Sequence, residues 1–299
     1  MSPLPTLRQL RYLTALAEHR HFGRAAESCL VTQSTLSAGI QELESLLNCA
    51  LVERSRRQVV LTPTGLAVAD RARHLLLDAQ DLVDAVRAAD APLTGTLRLG
   101  VIPTIAPYLL PRVLPALHTA YPNLRLILRE DLSARLAEGL KAGDLDLVLL
   151  ALPWPIDGVE EMTLSDDAFL LVLPATHPLA QKEPIAWGDI PMDEMLLMEE
   201  GHCLRDHALA ACRMAGIKGS RNGLYGTSLQ TIVQMVAGGL GMTFLPEMAV
   251  EAGALAGTGL VARRLSDAGA KRQIGLIWRA SSPRAAEMRR LGAWFAKPA

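Results

Sequence analysis

From residue 97 onward, short apolar runs alternate with amphipathic helical patterns, and this alternation constrains the fold more than any other feature. The first three runs span residues 97–102, 124–128 and 145–152. Runs of this kind between helices are typical of buried, mostly parallel strands. A second series begins near Asp167, and the last run and helix are expected to return to the first series. We therefore predict a two-lobed α/β domain with a cleft, lobe I formed by 96–166 and 268–299, and lobe II by 167–267.

The composition indicates a globular chain with a sizeable core. Half of its 299 residues are apolar and the formal net charge is -1, so composition alone gives no sign of a nucleic-acid partner. Charged residues or prolines interrupt the apolar stretches before the roughly 18 residues of a membrane span. The start, Met1-Ser2-Pro3-Leu4-Pro5, lacks a signal peptide's basic and apolar regions. We expect a cytoplasmic protein without a membrane partner, and a periplasmic solute-binding protein is disfavoured.

Residues 7–65 show three short amphipathic helical patterns followed by a basic segment. The third pattern starts after a tight connection, and Thr32 or Ser34 is placed to cap it. Its outward face carries short polar groups suited to base edges and phosphates, namely Gln33, Ser34, Thr35, Ser37 and Gln41. Arg54, Arg56 and Arg57 precede a Val-Val-Leu run, which predicts a small β-wing with phosphate-facing arginines. These patterns alone fit a DNA-binding unit or a purely structural bundle.

The order of residues favours the DNA-binding interpretation. The chain reads Phe22-Gly23-Arg24-Ala25-Ala26, then Gln33-Ser34-Thr35-Leu36-Ser37, then Leu51-Val52-Glu53-Arg54 and Leu61-Thr62-Pro63-Thr64-Gly65. This order closely resembles the amino-terminal domain of LysR-type transcriptional regulators, which implies a winged helix-turn-helix over residues 1–62. Ser34 stands where the family usually has Pro, and Asn48 where Gly usually ends the recognition helix. That helix has no Lys or Arg but contains Glu42 and Glu44.

Residues 63–90 form one continuous helical pattern that begins with a proline. Its apolar positions alternate in steps of four and three, as in a coiled coil: Val68, Ala72, Leu75, Ala79, Leu82 and Val86. We predict a linker helix that dimerises the chain, the alternative being a helix packed on its own domain. Residues 91–95 contain Pro92 and Gly95 and are predicted to form a hinge.

Cys203 and Cys212 lie in one segment with a helical pattern that runs from Cys203, and Gly201 just before it lets a helix begin right at the sulfur. Nine residues of straight α-helix separate two Cα atoms by roughly 13–14 Å, whereas a disulfide needs about 4.4–6.8 Å. A disulfide between them therefore requires the segment to unwind. His202 and Arg205 offer positive charge to a thiolate, and a helix start at the sulfur adds to it. From spacing and neighbours alone, a redox switch and two buried core residues fit equally well.

The family resemblance extends over the whole chain and includes this cysteine segment, which is similar to that of the peroxide-sensing members. It implies the periplasmic-binding-protein-like effector fold for the two lobes. It also implies that Cys203 is the peroxidatic thiol and Cys212 the resolving one. A peroxide pocket is then expected to include Thr104, Ser133, His202, Arg205 and Asp206. Thr104 and Asp206 have plain alternatives as helix-capping or first-turn residues, and Ser133 stands where those members have Thr.

The leading hypothesis is a regulator, not an enzyme, that binds promoter DNA and activates antioxidant genes when hydrogen peroxide joins Cys203 to Cys212. The expected assembly is a homotetramer built from linker-helix dimers, which acts with RNA polymerase and is reset by a glutaredoxin- or thioredoxin-type reductant. No metal or cofactor is expected, because the four cysteines lack zinc-type spacing. The alternatives are a LysR-type regulator that binds a small anionic metabolite in the cleft and, more remotely, a thiol peroxidase.

Overall fold

The computed structural model describes residues 4–54, 59–90, 92–214, 225–266 and 269–296. The chain divides into two compact units, Met1–Ala89 and Asp90–Ala299. No helix in the described residues is long and apolar enough to cross a membrane.

The first unit is a three-helix bundle with a two-stranded wing and a long final helix. Its elements are α1 (Leu7–His19), α2 (Phe22–Ser28), α3 (Gln33–Leu47), β1 (Val52–Arg54), β2 (Val59–Leu61) and α4 (Pro63–Asp90). The two strands pair antiparallel, with Val52 opposite Leu61. Leu13 of α1, Ala25 of α2 and Leu36 of α3 are fully buried in one core that joins the three helices. This is the predicted winged helix-turn-helix.

The ends of α3 are capped as the sequence predicts. The Thr32 hydroxyl accepts a hydrogen bond from the Thr35 backbone N–H at 3.2 Å, so Thr32 rather than Ser34 is the cap. Asn48 ends the helix in the left-handed conformation with φ 49°, which Asn tolerates. The Glu44 carboxylate accepts hydrogen bonds from the backbone N–H groups of Leu51 and Val52 at 2.8 and 3.1 Å. This acidic residue of the third helix thus holds the start of the wing.

Helix α4 packs on the first unit at its start and then leaves an apolar row uncovered. Gly65 is required there, because a Cβ at this position would lie 2.0 Å from the Leu51 carbonyl oxygen. Ala72 is buried, whereas Leu75, Leu82 and Val86 are 42%, 70% and 66% exposed. The first turns of the helix therefore pack on their own domain, as in the alternative prediction. Leu75, Leu82 and Val86 of the predicted seam are exposed to solvent.

The second unit is an α/β domain built around one mixed sheet. Its strands are β3 (Gly95–Val101), β4 (Leu124–Glu130), β5 (Leu147–Leu152), β6 (Val159–Pro174), β7 (Leu197–Met198), β8 (Tyr225–Gly226), β9 (Thr243–Pro246), β10 (Leu260–Arg264) and β11 (Lys271–Arg279). Its α-helices are α5 (Ala106–Ala120), α6 (Ser133–Ala142), α7 (Cys203–Met214), α8 (Leu229–Ala237), α9 (Glu247–Glu251) and α10 (Ala285–Phe295). In the described residues the main sheet has the order β10-β6-β11-β5-β3-β4, with β9 also paired to β6.

The long strand β6 connects apolar cores that are separate from one another. Its first part pairs with β11 from Val159 to Ala168, and its second part pairs with β9 and β10 from Phe169 onward. The apolar side chains of β3, β5 and β11 form one cluster, and those of β9, α8 and the end of β6 contribute to others. The α/β architecture agrees with the predicted fold class, and the predicted lobe boundary at 166/167 falls inside β6.

The segment predicted as a hinge is bound to the last helix. The Leu93 backbone N–H donates to the Glu287 carboxylate at 2.7 Å, and Arg284 donates to that carboxylate and to the Thr94 and Thr96 carbonyl oxygens. Glu287 is 4% exposed and Leu93 is fully buried with φ 56°. Ala91 lies outside the described residues. A buried ion pair therefore ties the start of the second unit to α10.

Replacement of Glu287 by alanine should destabilise the second unit by about 3–5 kcal/mol, because it leaves the Arg284 charge buried without its carboxylate. Chemical denaturation followed by circular dichroism measures the change. Glu160→Ala is the matched control: it removes an ion pair to Arg289 of the same helix, but that pair is 38% and 55% exposed and should contribute less than about 1 kcal/mol. Equal losses in the two variants would contradict the role assigned to Glu287.

Candidate functional site

Cys203 is the first residue of α7 and lies in a small pocket of the second unit. The pocket is lined by Ile102, Pro103, Thr104, Leu132, Ser133, Gly201, His202 and Cys203. Thr104 follows β3 and Ser133 begins α6 just after β4, and these two strands are parallel neighbours. Their carboxyl ends therefore meet at one edge of the sheet, where ligands bind in α/β proteins. The start of α7 brings the thiol to the same place.

Helix α7 contains both cysteines of the predicted pair. It runs from Cys203 to Met214, which confirms the predicted helix. At 1.5 Å per residue, the Cα atoms of Cys203 and Cys212 are about 13.5 Å apart along a straight helix. A disulfide cannot form at this separation. The described conformation is therefore a reduced one for Cys203, which is a free thiol only 4% exposed.

Two buried hydroxyl groups face this pocket. Thr104 and Ser133 are 2% and 1% exposed. The Ser133 hydroxyl has no hydrogen-bond partner among the described residues. Thr104 is not a helix cap: the residue at the start of α5 is Ile105, and no side chain caps it. A buried polar group without a partner is unfavourable, so the pocket is suited to a small ligand that can accept and donate hydrogen bonds.

Thr104 is held by an ion pair that sequence reasoning missed. The Arg272 guanidinium donates to the Thr104 hydroxyl at 2.7 Å and to its carbonyl oxygen at 3.0 Å, and the same group donates to Asp167. Arg272 and Asp167 are fully buried and 105 residues apart in the chain. No local pattern could have paired them. The one available signal is the presence of charged residues at the ends of two apolar strand patterns.

His202 lines the pocket, and its imidazole does not carry a permanent positive charge. Burial lowers its pKa below the ordinary value, although the nearby Glu199 carboxylate acts in the opposite direction. Burial and the Arg272 guanidinium also lower the pKa of His207, one turn after Cys203. Both imidazoles are therefore neutral at neutral pH. The lowered pKa of His202 disfavours the positive charge that the sequence predicts beside the thiolate.

The structure does not place Arg205 or Asp206 among the residues that line the pocket. Arg205 lies in the first turn of α7 and forms an ion pair with Glu200 at 3.2 Å. Asp206 is exposed in that same turn. Gly201, by contrast, lies where the sequence predicts the start of the helix. Its φ of 95° is in the left-handed region, and a Cβ would meet Leu132 at 3.2 Å, so a glycine here lets the chain enter α7 beside the pocket.

The predicted DNA-contacting residues lie at the start of α3. Gln33, Ser34, Thr35 and Gln41 are exposed and Ser37 is half-buried. The Thr32 hydroxyl joins those of Ser34 and Thr35 at 2.9 and 2.8 Å, so this helix end presents a cluster of hydroxyl groups. Arg54 ends β1, and the predicted wing arginines Arg56 and Arg57 lie outside the described residues.

Comparison with known families agrees with this architecture. Residues 7–66 match the bacterial regulatory helix-turn-helix protein model of the LysR family, and residues 90–298 match the LysR substrate binding domain. The chain therefore belongs to the LysR family of transcriptional regulators.

Similar individual proteins of this family include regulators named for hydrogen peroxide and one with a different name, the HTH-type transcriptional regulator EstR of Acinetobacter baylyi, which is 44% identical over 95% of this chain and 93% of its own length. A probable hydrogen peroxide-inducible genes activator of Streptomyces viridosporus is 44% identical over 97% of this chain and 93% of its own length. The structure of a full-length cysteine-to-aspartate OxyR from Pseudomonas aeruginosa has a TM-score of 0.81 at 35% identity, covering 98% of this chain and 95% of that one. A peroxide-bound cysteine-to-serine mutant of Corynebacterium glutamicum OxyR has a TM-score of 0.68 at 34% identity, covering 99% and 93%.

Proposed function

We propose that this chain is an OxyR-like transcriptional regulator that senses hydrogen peroxide through Cys203 and controls antioxidant genes. The observation that carries the proposal is the pocket itself, where a buried thiol at a helix start lies beside the hydroxyl groups of Thr104 and Ser133. The polar groups that line this pocket suit a small molecule that both donates and accepts hydrogen bonds, as hydrogen peroxide does. The relatives named for peroxide and the peroxide-bound neighbour support the same effector.

The chemistry at Cys203 takes place in two steps. The thiolate sulfur attacks one peroxide oxygen, the O–O bond breaks, and the departing oxygen leaves as hydroxide and takes up a proton to form water. The sulfur is thereby oxidised to sulfenic acid. The Cys212 thiolate then attacks that sulfur, the S–O bond breaks, and a second hydroxide leaves as the disulfide forms. The proton that each thiol has lost converts these hydroxides to water.

The disulfide is the step that changes the conformation. Because α7 separates the two cysteines by about 13.5 Å, it must unwind before the second step. Cys203 packs with the core of β3, β5 and β11, whereas Leu204 packs with the core of α8 and β9. Unwinding at this point therefore disturbs contacts in both cores. Through these changed core contacts, oxidation would alter the packing between subunits and their contacts with DNA.

The regulator acts as an oligomer on DNA. The exposed row Leu75, Leu82 and Val86 of α4 supports a dimer through this helix, since an apolar heptad row is stable in water when a second helix covers it. Two such dimers would form the homotetramer. We infer promoter DNA and RNA polymerase as partners, a cytoplasmic location, and reduction of the disulfide by a glutaredoxin- or thioredoxin-type protein.

Peptide mass mapping under thiol-blocking conditions tests the sensor chemistry. One equivalent of hydrogen peroxide should produce a Cys203–Cys212 disulfide within seconds and change the affinity for a target promoter, and Cys203→Ser should abolish both responses. Cys49→Ser is the control, because this partly buried thiol packs on the core of the first unit. Free Cys203 after treatment, or a promoter response that survives Cys203→Ser, would indicate a LysR regulator of a different effector. Continuous peroxide consumption with a reductant would indicate a peroxidase.

A charged residue in the α4 row should break the dimer. Leu82→Lys places two ammonium groups in an apolar contact, so the protein should dissociate at micromolar concentration in analytical ultracentrifugation. Val83→Lys is the matched control: Val83 is also exposed, at 44%, but lies next to the row rather than in it. If both variants keep the assembly of the unaltered chain, α4 is not the dimer contact.

A further inference from the structure

Asp167 and Arg272 form a buried ion pair between β6 and β11. The two residues are opposite each other in the antiparallel pairing of β6 with β11. Their side chains are 2% and 0% exposed. The Arg272 Nε donates to Asp167 Oδ2 at 3.0 Å, and Nη2 lies 2.9 Å from the same oxygen. Burial of either charge alone is strongly unfavourable, so each side chain holds the other in place.

The Asp167 carboxylate is fixed from two directions. Its second oxygen, Oδ1, accepts a hydrogen bond from the Met248 backbone N–H at 3.0 Å, at the start of α9. The carboxylate therefore cannot rotate without loss of a bond to one element or the other. The orientation of the Arg272 guanidinium follows from this fixed partner.

The opposite edge of the guanidinium holds Thr104. Nη1 donates to the Thr104 hydroxyl oxygen at 2.7 Å and Nη2 to its carbonyl oxygen at 3.0 Å. A guanidinium can only donate, so the hydroxyl must accept this bond and keeps its own proton. Among the described residues no acceptor takes that proton. Thr104 lines the pocket together with Cys203, so its hydroxyl is held as a donor available to a ligand there.

We propose that Asp167 is a positioning residue for peroxide reduction: through Arg272 it orients the Thr104 hydroxyl as a donor to the departing peroxide oxygen. This inference rests on the proposed function. When the Cys203 thiolate attacks, the O–O bond breaks and negative charge develops on the oxygen that leaves as hydroxide. A donor fixed in advance toward that oxygen stabilises the transition state. Asp167 touches neither sulfur nor peroxide and acts only through the two residues between them.

The role assigned to Asp167 is to fix the geometry of the site and not to supply charge to the thiol. Its carboxylate pairs with Arg272 at 2.9 Å, and removal of that negative charge leaves the guanidinium charge without its counter-ion, which favours a thiolate. Loss of Asp167 should therefore not lower the fraction of Cys203 that is in the thiolate form. It should affect only reactions in which the departing atom needs a hydrogen bond. Peroxide is such a reagent, whereas iodoacetamide is not, because iodide leaves without a proton.

The experiment compares these two reagents on Cys203 in the full-length reduced chain. Asp167→Asn should slow the loss of free Cys203 thiol with hydrogen peroxide at least about tenfold, while alkylation by iodoacetamide should be no slower than in the unaltered chain. Both rates are measured by quenched mass spectrometry of the Cys203 peptide. Asp166→Asn is the matched control, since this neighbouring carboxylate pairs with Lys271 at the surface, and it should change neither rate.

A double-mutant cycle with Thr104→Val tests the path of the effect. If Asp167 acts through the Thr104 hydroxyl, Asp167→Asn should slow the peroxide reaction less than about twofold further in the Thr104→Val background. A full additive loss in the double variant would overturn the inference. So would equal slowing with both reagents, which is the result expected of a merely structural role.

A second variant keeps the test decisive if Asp167→Asn does not fold. Asp167→Glu keeps the charge but moves the carboxylate by one methylene, and it should show the same selective loss of peroxide rate. If the unaltered chain is oxidised rapidly and a folded variant reacts with peroxide at the same rate, the role of Asp167 is overturned but the proposed function is not. If the unaltered Cys203 reacts no faster than free cysteine, the proposed function fails as well.

Discussion

The antiparallel pairing of β6 with β11 holds the second unit together. It places Asp167 opposite Arg272 although 105 residues of chain lie between them, and it carries the backbone from one apolar core to the next. The buried charges at this point are tolerated because the two side chains also form hydrogen bonds to fixed partners, Arg272 to the Thr104 hydroxyl and Asp167 to the Met248 backbone N–H. The pocket beside Cys203 depends on this arrangement, since Thr104 is positioned by it.

A disulfide between Cys203 and Cys212 is incompatible with the helical conformation of α7. As a helix, the segment keeps Cys203 and Cys212 too far apart to bond; as a disulfide, it cannot remain a straight helix. Closure of so short a loop raises the free energy of unfolding relative to an uncrosslinked chain only modestly, by about 2.7 kcal/mol on the chain-entropy model, so the cross-link itself adds little stability. The redox poise of the surroundings decides whether the two cysteines are bonded, and a reductant can therefore restore the helix.

The sequence predicts what local patterns determine. The three helices and the wing followed from amphipathic spacing and capping residues such as Thr32 and Asn48, and the α/β alternation gave the fold class. Thr104, Ser133 and Cys203 were placed together through the family resemblance. The Asp167–Arg272 pair could not be predicted, because it depends on the register of two strands that are distant in the chain. The lowered pKa of His202 could not be predicted for a similar reason, since burial in the folded unit is its main cause.

The central claim is that oxidation at Cys203 unwinds α7, and hydrogen exchange of the backbone amides measures this most directly. Mass spectrometry of the reduced and peroxide-treated full-length chain should show loss of protection across Cys203–Met214 in the oxidised state, with the protection of α10 (Ala285–Phe295) unchanged as the internal reference. Equal protection of α7 in both states, in a sample where the Cys203–Cys212 disulfide has formed, would contradict the account.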